Sequence, residues 1–217
     1  MKKLLGVVLS RNRIKSKSRA WIRNQNRDQY VREARAQGLR ARSAYKLKEI
    51  DYKHQLIKPY YQVVDLGAAP GGWSKYVSTI LSEQGLIVGV DLLEMRPIHG
   101  VIIIQGDFTE SSIQEKIIDQ FESRLLDLVL SDMSPNISGI ATIDQAKAER
   151  MHISILEFCA KALKPGGVML VKLFEGSSSS DIKKMYSENF NQIFAIKPKA
   201  SRSESREVYQ LAKGYMM

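Results

Sequence analysis

From residue 62 onward, short runs of β-branched and aliphatic residues alternate with segments that carry a helical pattern. Most of these apolar runs are continuous, which is typical of strands buried on both faces of a parallel sheet. The predicted strands are residues 62–67, 86–92, 101–108, 125–132, 168–174, 192–196 and 207–212, and the predicted helices are 72–82, 112–121, 144–163 and 180–190. This order predicts a doubly wound α/β fold with a mostly parallel, seven-stranded sheet.

The two ends of the chain depart from the regular alternation. Only about ten residues without a helical pattern separate the last two predicted strands, and a parallel crossover needs a dozen or more. These strands should therefore form an antiparallel hairpin at the edge of the sheet. Before the sheet, residues 28–37 and 44–52 are predicted helices, separated by Gly38. We expect a basic arm in residues 1–27 and one domain in residues 28–217, with helices in 28–60 and the sheet in 61–214.

The positive charge lies almost entirely at the amino end. Residues 1–46 contain 14 Lys and Arg against Asp28 and Glu33, whereas residues 47–217 contain 19 Lys and Arg against 21 acidic residues. A positive segment on a nearly neutral body favours a polyanionic partner, because binding to phosphates releases condensed counterions. Nucleic acid is the predicted partner, and a solubilising tail is the alternative interpretation.

Cysteine content and hydropathy indicate the cellular compartment in which the protein functions. The single cysteine, Cys159, cannot form an internal disulfide or a thiolate cluster, which favours a reducing compartment and predicts no bound metal. No apolar run reaches the roughly 20 residues that a membrane-spanning helix needs. We therefore expect a cytoplasmic protein that does not enter a membrane.

Residues 65–73, Asp-Leu-Gly-Ala-Ala-Pro-Gly-Gly-Trp, connect the first predicted strand to the helix that follows it. Ligands bind at the carboxyl ends of strands in doubly wound sheets, so this loop is a candidate binding site. It is neither a Gly-x-Gly-x-x-Gly fingerprint nor a phosphate loop, and Pro70 lacks the N–H that a phosphate would use. A carboxylate beside small residues favours a cationic, zwitterionic ligand, and S-adenosylmethionine has this chemistry.

Two further aspartates end predicted strands. Asp91 can accept hydrogen bonds from the ribose hydroxyls of an adenosine, and Asp107 can accept one from the adenine amino group. Trp73 has an alternative interpretation as a packing residue. The predicted cofactor-binding residues are Asp65, Gly67, Ala68, Pro70, Gly71, Gly72, Trp73, Asp91, Leu92, Asp107, Phe108 and Asp132.

Lys172 lies inside an apolar strand, where its ammonium group would lose hydration. Such a lysine is either paired in a structural ion bridge or has a lowered pKa that lets it act as a base. Methyl transfer to a ribose hydroxyl requires removal of its proton, so an amine base would need a pKa lowered from about 10.4 toward 7 to 8. Lys46 could supply a nearby positive charge, and Asp132 and Glu207 could hold both lysines. The spacing alone leaves both interpretations open.

Several segments together resemble the FtsJ/RrmJ family of ribose 2′-O-methyltransferases. They are residues 38–47, 65–73, 106–108, 131–136, 171–174 and 205–209, and the resemblance covers about residues 16–213. The family has a Lys-Asp-Lys-Glu tetrad, which falls here on Lys46, Asp132, Lys172 and Glu207. The resemblance implies a Rossmann-like methyltransferase fold in which Lys172 is the general base and the other three orient it, the target hydroxyl and the cofactor.

The resemblance also implies a substrate and a partner. Bacterial members of this length methylate a uridine of large-subunit ribosomal RNA in the assembled subunit, so we expect a monomeric enzyme of this kind. The open alternatives are a tRNA or messenger-cap 2′-O-methyltransferase and an RNA-binding ribosome-assembly factor without chemistry. Arginine forks match phosphate oxygens, which identifies the candidate RNA contacts. They are Arg40, Arg42, Lys197, Lys199, Arg202 and Arg206.

Three departures from the family pattern bear on substrate preference. Residues 1–10 match no family segment, and Arg96 replaces a more usual acidic residue after the second strand. Residues 175–177, Glu-Gly-Ser, replace a more usual Gln-Gly-Glu. None of these departures changes a tetrad residue.

Overall fold

The computed structural model describes residues 40–135, 138–174, 179–201 and 205–216. The predicted basic arm, the predicted helix 28–37, residues 175–177 and Arg202 lie outside the described residues. Within the described part of the chain, no helix combines the length and apolar character needed to cross a membrane.

The described residues form five helices and seven strands. Helices α1 to α5 span Ser43–His54, Gly72–Ser78, Ser111–Asp119, Ala141–Ala162 and Ser179–Asn189. Strands β1 to β7 span Gln62–Leu66, Leu86–Asp91, Ile102–Gln105, Leu126–Ser131, Leu163–Phe174, Phe190–Ile196 and Glu207–Tyr215.

All seven strands form one sheet in the order β3-β2-β1-β4-β5-β7-β6. Strands β1 to β5 run parallel, and β7 is antiparallel to both of its neighbours. The predicted fold class is confirmed, including the antiparallel pair of β6 and β7 at the edge. The order of that pair was not predicted: β6 forms the outer edge, and β7 inserts between β6 and β5.

Helices cover both faces of the sheet, and each face has its own apolar core. Helices α3, α4 and α5 pack on one face around residues such as Val64 and Phe158. Helices α1 and α2 pack on the other face around residues such as Leu47, Val63 and Val77. Because successive side chains of a strand point to opposite faces, the neighbours Val63 and Val64 belong to different cores.

Two predicted ends of elements are wrong because local hydrogen bonds change the path of the main chain. The second helix stops at Ser78 rather than residue 82, since the N–H of Ser82 donates to the oxygen of Pro59 instead. The third strand stops at Gln105 rather than residue 108, because Asp107 accepts hydrogen bonds from the N–H and hydroxyl of Thr109 and turns the chain toward α3.

The boundary region of α4 and β5 also differs from the prediction. Helix α4 begins at Ala141 rather than residue 144, because the Asp144 carboxylate accepts hydrogen bonds from the N–H groups of Ser138 and Gly139. Strand β5 begins at Leu163 rather than residue 168, since a register shift against β4 accommodates residues 164–167 within the strand. The other predicted bounds differ from the observed ones by at most three residues.

A buried histidine connects two of the helices. His152 of α4 is 2% exposed, and its Nδ1 lies 2.5 Å from the hydroxyl oxygen of Tyr186 on α5. Burial lowers the pKa of His152 from 6.5 to about 4. Between these pH values the unfolded chain binds a proton at His152 that the folded protein does not bind. The contribution of His152 to stability therefore falls as the pH falls through this range.

Replacement of His152 should change the pH-dependence of stability. We expect the unfolding free energy at pH 5, relative to that at pH 7, to be about 2 kcal/mol higher in His152→Asn than in the wild type. Urea denaturation at the two pH values measures this difference. The exposed His99 provides the control variant, His99→Asn, which should keep the wild-type dependence. If the unfolding free energy of the His152 variant depended on pH as that of the wild type does, the prediction would be contradicted.

Candidate active site

The strand order reverses between β1 and β4, and such a reversal opens a crevice at the carboxyl ends of the strands. The segments that leave β1, β2, β3 and β4 at this edge carry Gly67, Asp91, Asp107 and Asp132, respectively. The sheet therefore brings predicted site residues from distant parts of the sequence to one edge.

Strand β7 brings its amino end to the same edge, because it runs antiparallel to β5. Lys172 of β5 lies directly opposite Tyr209, and Phe174 lies opposite Glu207. Lys172, Tyr209 and Glu207 point to the face that α1 and α2 cover, as does Leu170 two residues before Lys172. Pairing of β5 with β7 thus places a carboxylate close to a lysine on the adjacent strand.

Lys46 reaches this group from α1. Its Nζ lies 2.5 Å from Glu207 Oε1, and the two side chains are only 10% and 13% exposed. Burial by itself would raise the pKa of Glu207, but the hydrogen bond from Lys46 and the positive charges of Lys46 and Lys172 outweigh burial and lower it. Glu207 is therefore an ionised partner for Lys46 at neutral pH.

Lys172 forms a second ion pair with Asp132, which directly follows β4. Its Nζ lies 3.0 Å from Asp132 Oδ1 and also donates to the main-chain oxygen of Asp132. The side chain of Lys172 is 10% exposed and that of Asp132 is 21% exposed. The pair is therefore largely buried and remains accessible on the Asp132 side.

The hydroxyl of Tyr209 connects the two ion pairs. It donates to Asp132 Oδ1 at 2.7 Å and accepts a hydrogen bond from Lys46 Nζ at 3.3 Å. Burial, together with the negative charge of Asp132, raises the pKa of Tyr209 well above its ordinary value, so the hydroxyl keeps its proton. The structure thus brings the four predicted tetrad residues together in one hydrogen-bonded chain, with Tyr209 as an additional member that sequence reasoning missed.

Trp73 supports this chain from α2. Its ring centroid lies 5.6 Å from that of Tyr209, and its Nε1 donates to the main-chain oxygen of Ser43 at 2.8 Å. Trp73 is only 2% exposed, so its contacts favour the packing interpretation. Its predicted contact with a cofactor stays a prediction.

A cavity of about 220 Å³ lies at the carboxyl edge of the sheet, and its lining includes Met133 and Ser134, which directly follow Asp132. Its lining comes from the ends of β1 to β4 and from α4, and consists of Gly67, Val90, Asp91, Leu92, Gly106, Asp107, Phe108, Thr109, Met133, Ser134 and Met151. This lining includes five predicted cofactor residues. Sequence reasoning did not assign the other six lining residues to the cavity, because a side chain such as Met151 in a helical pattern carries no sign of which cavity it faces.

The cavity has the features that a nucleoside ligand needs. Gly67 has a φ of +76°, and a Cβ at this position would lie 2.4 Å from Met133 Cγ, so only glycine leaves this space open. The Asp91 carboxylate accepts hydrogen bonds from the N–H groups of Ala69 and Leu93 at 2.9 and 2.8 Å. Each Asp91 oxygen can accept a second hydrogen bond, whereas Asp107 Oδ1 already accepts two, so both Asp91 oxygens and Asp107 Oδ2 can bind hydroxyl or amino groups.

Asp65 lies behind the loop and outside the cavity lining. It is fully buried, and its Oδ2 accepts a hydrogen bond from Ser74 Oγ at 2.6 Å, while its Oδ1 has no hydrogen-bond partner among the described residues. Burial raises the pKa of Asp65 to about 7, and the charges of Asp132 and Asp91 add to this effect. The remaining predicted cofactor residues are also outside the lining, and their contacts stay predictions: Ala68, Pro70, Gly71, Gly72 and Asp132.

Two predicted RNA contacts bind main-chain oxygens within the protein. Arg40 donates to the oxygens of Arg96 and Pro97 at 2.6 and 2.5 Å, and Arg42 donates to the oxygen of Ala200 at 2.5 Å. Both arginines therefore hold loops at this edge of the sheet. The other candidates that the structure describes are exposed: Lys197, Lys199 and Arg206. RNA binding by all of these residues stays a prediction.

Comparison with known proteins identifies the family. The model of the FtsJ-like methyltransferase family matches residues 39–215. A relative from Legionella pneumophila (strain Paris), described as ribosomal RNA large subunit methyltransferase E, is 47% identical over 94% of this chain and 98% of its own length. A relative from Verminephrobacter eiseniae (strain EF01-2) with the same description is 42% identical over 94% of this chain and 84% of its own length.

A solved structure shows the same architecture. The crystal structure described as a ribosomal RNA methyltransferase from Plasmodium falciparum has a TM-score of 0.72 and 27% sequence identity, and the match covers 81% of this chain and 98% of that chain. The family model covers most of the chain, and the two relatives are 42% and 47% identical over almost all of it. This chain therefore belongs to the FtsJ-like methyltransferase family.

Proposed function

We propose that this protein transfers a methyl group from S-adenosylmethionine to a ribose 2′-oxygen of ribosomal RNA. The observation that carries the proposal is the hydrogen-bonded chain from Glu207 through Lys46, Tyr209 and Asp132 to Lys172, next to a cavity with nucleoside-binding features. It provides a buried amine beside the place where an activated methyl group would lie.

The cavity residues suit S-adenosylmethionine as the cofactor. In this proposal, Asp91 accepts hydrogen bonds from the ribose hydroxyls, and Asp107 accepts one from the adenine amino group. Gly67 would let the main chain approach the ligand closely, and the apolar side chains of Phe108 and Met133 would provide surface for its rings. When bound, S-adenosylmethionine supplies a methyl group on a positively charged sulfur.

Lys172 is the proposed general base. Lys172 would act as the base after it has released the proton that it carries in the ion pair. Its amine would then have two N–H bonds and one lone pair, and Asp132 offers two acceptors, its Oδ1 and its main-chain oxygen. With both N–H bonds engaged, the lone pair of Lys172 is available for the proton of the 2′-hydroxyl. The deprotonated ribose oxygen would then be the nucleophile for the methyl group that S-adenosylmethionine supplies, and Lys172 would keep the proton.

The other residues of the hydrogen-bonded chain orient Lys172 and balance its charge. Once Lys172 is protonated, the positive charges of Lys46 and Lys172 face the negative charges of Asp132 and Glu207. Tyr209 links the two pairs, so the position of each depends on the other. These residues therefore stabilise the charge that develops on Lys172 during the reaction.

The names of the relatives favour ribosomal RNA over tRNA and messenger caps as the acceptor. Following the resemblance described above, the proposed acceptor is a uridine of large-subunit ribosomal RNA, methylated in the assembled subunit by a cytoplasmic monomer. The complete set of Lys46, Asp132, Lys172 and Glu207 argues against an assembly factor without chemistry.

The variant Lys172→Arg tests the general base, because arginine keeps the charge but does not release its proton near neutral pH. We expect transfer of radiolabelled methyl groups to unmethylated large ribosomal subunits to fall about 10²- to 10⁴-fold. Lys164→Arg is the matched control, since Lys164 lies at the opposite end of β5 and pairs with Asp127. Undiminished transfer by Lys172→Arg would refute the proposed role.

The variant Tyr209→Phe tests the link between the ion pairs. Loss of its hydroxyl removes the hydrogen bonds to Asp132 and Lys46, so we expect kcat to fall about tenfold while KM for the RNA stays within about twofold. Steady-state kinetics with large subunits measure both quantities. Tyr76→Phe is the control, because the Tyr76 hydroxyl donates to Asp51 at 2.9 Å outside the site. A kcat equal to that of the control would contradict the linking role.

The variant Asp91→Ala tests the cofactor site without relying on activity. Removal of the carboxylate takes away the proposed acceptor for the ribose hydroxyls, so the Kd for S-adenosylmethionine should rise about tenfold or more. Isothermal titration calorimetry measures this change. The exposed Asp119 at the end of α3 provides the control variant, Asp119→Ala, which should bind as the wild type does. Unchanged affinity of the Asp91 variant would exclude this assignment.

A further inference from the structure

The region of α1 presents three charged side chains at helical spacing on one face: Arg42, Lys46 and Glu49. Lys46 belongs to the hydrogen-bonded chain of the active site. Arg42 and Glu49 instead contact the connection between β6 and β7, from which Glu207 emerges. One helix face therefore holds both a tetrad residue and a loop that carries basic residues.

The carboxylate of Glu49 binds two consecutive main-chain N–H groups. Its Oε1 accepts a hydrogen bond from Lys199 at 3.1 Å, and its Oε2 accepts one from Ala200 at 3.4 Å. Arg42 donates to the main-chain oxygen of Ala200, which is only 1% exposed. The main chain of the connection is therefore held against α1 through its N–H groups and through a carbonyl.

This anchoring determines which side chains face solvent. Pro198 and Ala200 are buried, whereas Lys197 and Lys199 are exposed. The N–H of Ser201 donates to the oxygen of Pro198 at 2.9 Å and closes a turn at this point. The two lysines are thus presented on the outer side of an anchored turn, and α1 fixes their position relative to the active site.

We propose that Glu49 is a positioning residue for RNA: it locks the β6–β7 connection onto α1 so that Lys197 and Lys199 bind phosphates of the substrate RNA beside the active site. This inference rests on the proposed function for the identity of the polyanion. An acidic residue thereby contributes to the binding of a polyanion, and it does so through the main chain rather than through its own charge.

The direction in which RNA affinity changes when Glu49 is removed distinguishes this positioning role from a purely electrostatic one. If Glu49 acted only through its charge, Glu49→Ala would strengthen RNA binding, because a carboxylate repels phosphates. If Glu49 positions the two lysines, its removal releases the connection and weakens binding. The salt-dependence of binding then also decreases, since fewer counterions are released from the RNA.

The test measures binding of unmethylated large ribosomal subunits to the full-length protein at several salt concentrations. The double variant Lys197→Ala/Lys199→Ala should make the negative slope of log K against log salt smaller in magnitude by about 1.4 to 1.8, for two lost phosphate contacts. Glu49→Ala should reduce the magnitude of the slope by at least about half as much and weaken binding about tenfold near physiological salt. Glu49→Gln, which keeps one acceptor oxygen, should lie between Glu49→Ala and the wild type.

A combined variant tests whether the three residues act together. Adding Glu49→Ala to the double lysine variant should change binding no further, because the contacts it positions are already gone. The exposed Glu83 provides the charge control, Glu83→Ala, which should keep the wild-type slope. Calorimetry with S-adenosylmethionine and thermal unfolding verify that each variant is folded.

Three outcomes would overturn the inference: unchanged or tighter binding by Glu49→Ala, a wild-type slope in the double lysine variant, or additive effects in the combined variant. If Glu49→Ala does not fold, the double variant of the exposed Lys197 and Lys199 still tests the inference. Failure of the proposed function is a separate result, because a wild-type protein that binds subunits with this pattern and transfers no methyl group would contradict only the chemistry.

Discussion

Two lysines and two carboxylates lie together at the carboxyl edge of the sheet, and their mutual neutralisation constrains the rest of the architecture. Lys46 pairs with Glu207 and Lys172 pairs with Asp132, so no charge in the group is buried alone. Removing one partner from a buried pair costs about 3–5 kcal/mol, because the other charge stays behind without compensation. The two ion pairs therefore fix the relative positions of α1, the end of β4, β5 and β7. The antiparallel direction of β7 is essential, because a parallel β7 would place Glu207 at the opposite edge of the sheet.

Much of the fold could be predicted from the sequence, because continuous apolar runs identify buried strands. The errors arose where a side chain or a register shift changed the path of the main chain, as Asp107 and Asp144 do. The insertion of β7 between β5 and β6 needs tertiary information. The sequence gives only a weak indication that β7 is the inner strand of the pair. Strand β7 is buried over most of its length, whereas β6 exposes Asn191 and Gln192.

The candidate site was predictable where the fold class defines special positions. Strand-end aspartates and a lysine within an apolar strand stand out against the usual pattern, so Asp132 and Lys172 could be found. Tyr209 could not, because a buried tyrosine in a strand has the same pattern whether it packs in a core or links two ion pairs. Glu49 was missed for a similar reason, since a charged residue on a helix normally indicates solvent exposure, and its main-chain partners are about 150 residues away.

Asp65 adds a further buried carboxyl group close to Asp132 and Asp91. Because its pKa is raised from 3.8 to about 7 on folding, its contribution to stability is complete below about pH 3.8 and is lost as the pH rises to about 7. His152 has the opposite effect, since its contribution increases as the pH rises from about 4 to 6.5. The two effects offset one another in nearly the same pH range, so a flat stability profile of the wild type would not mean that either group is insensitive to pH. The charge of Asp132 adds to the raised pKa of Asp65, whereas Asp132 itself is compensated by the ammonium group of Lys172.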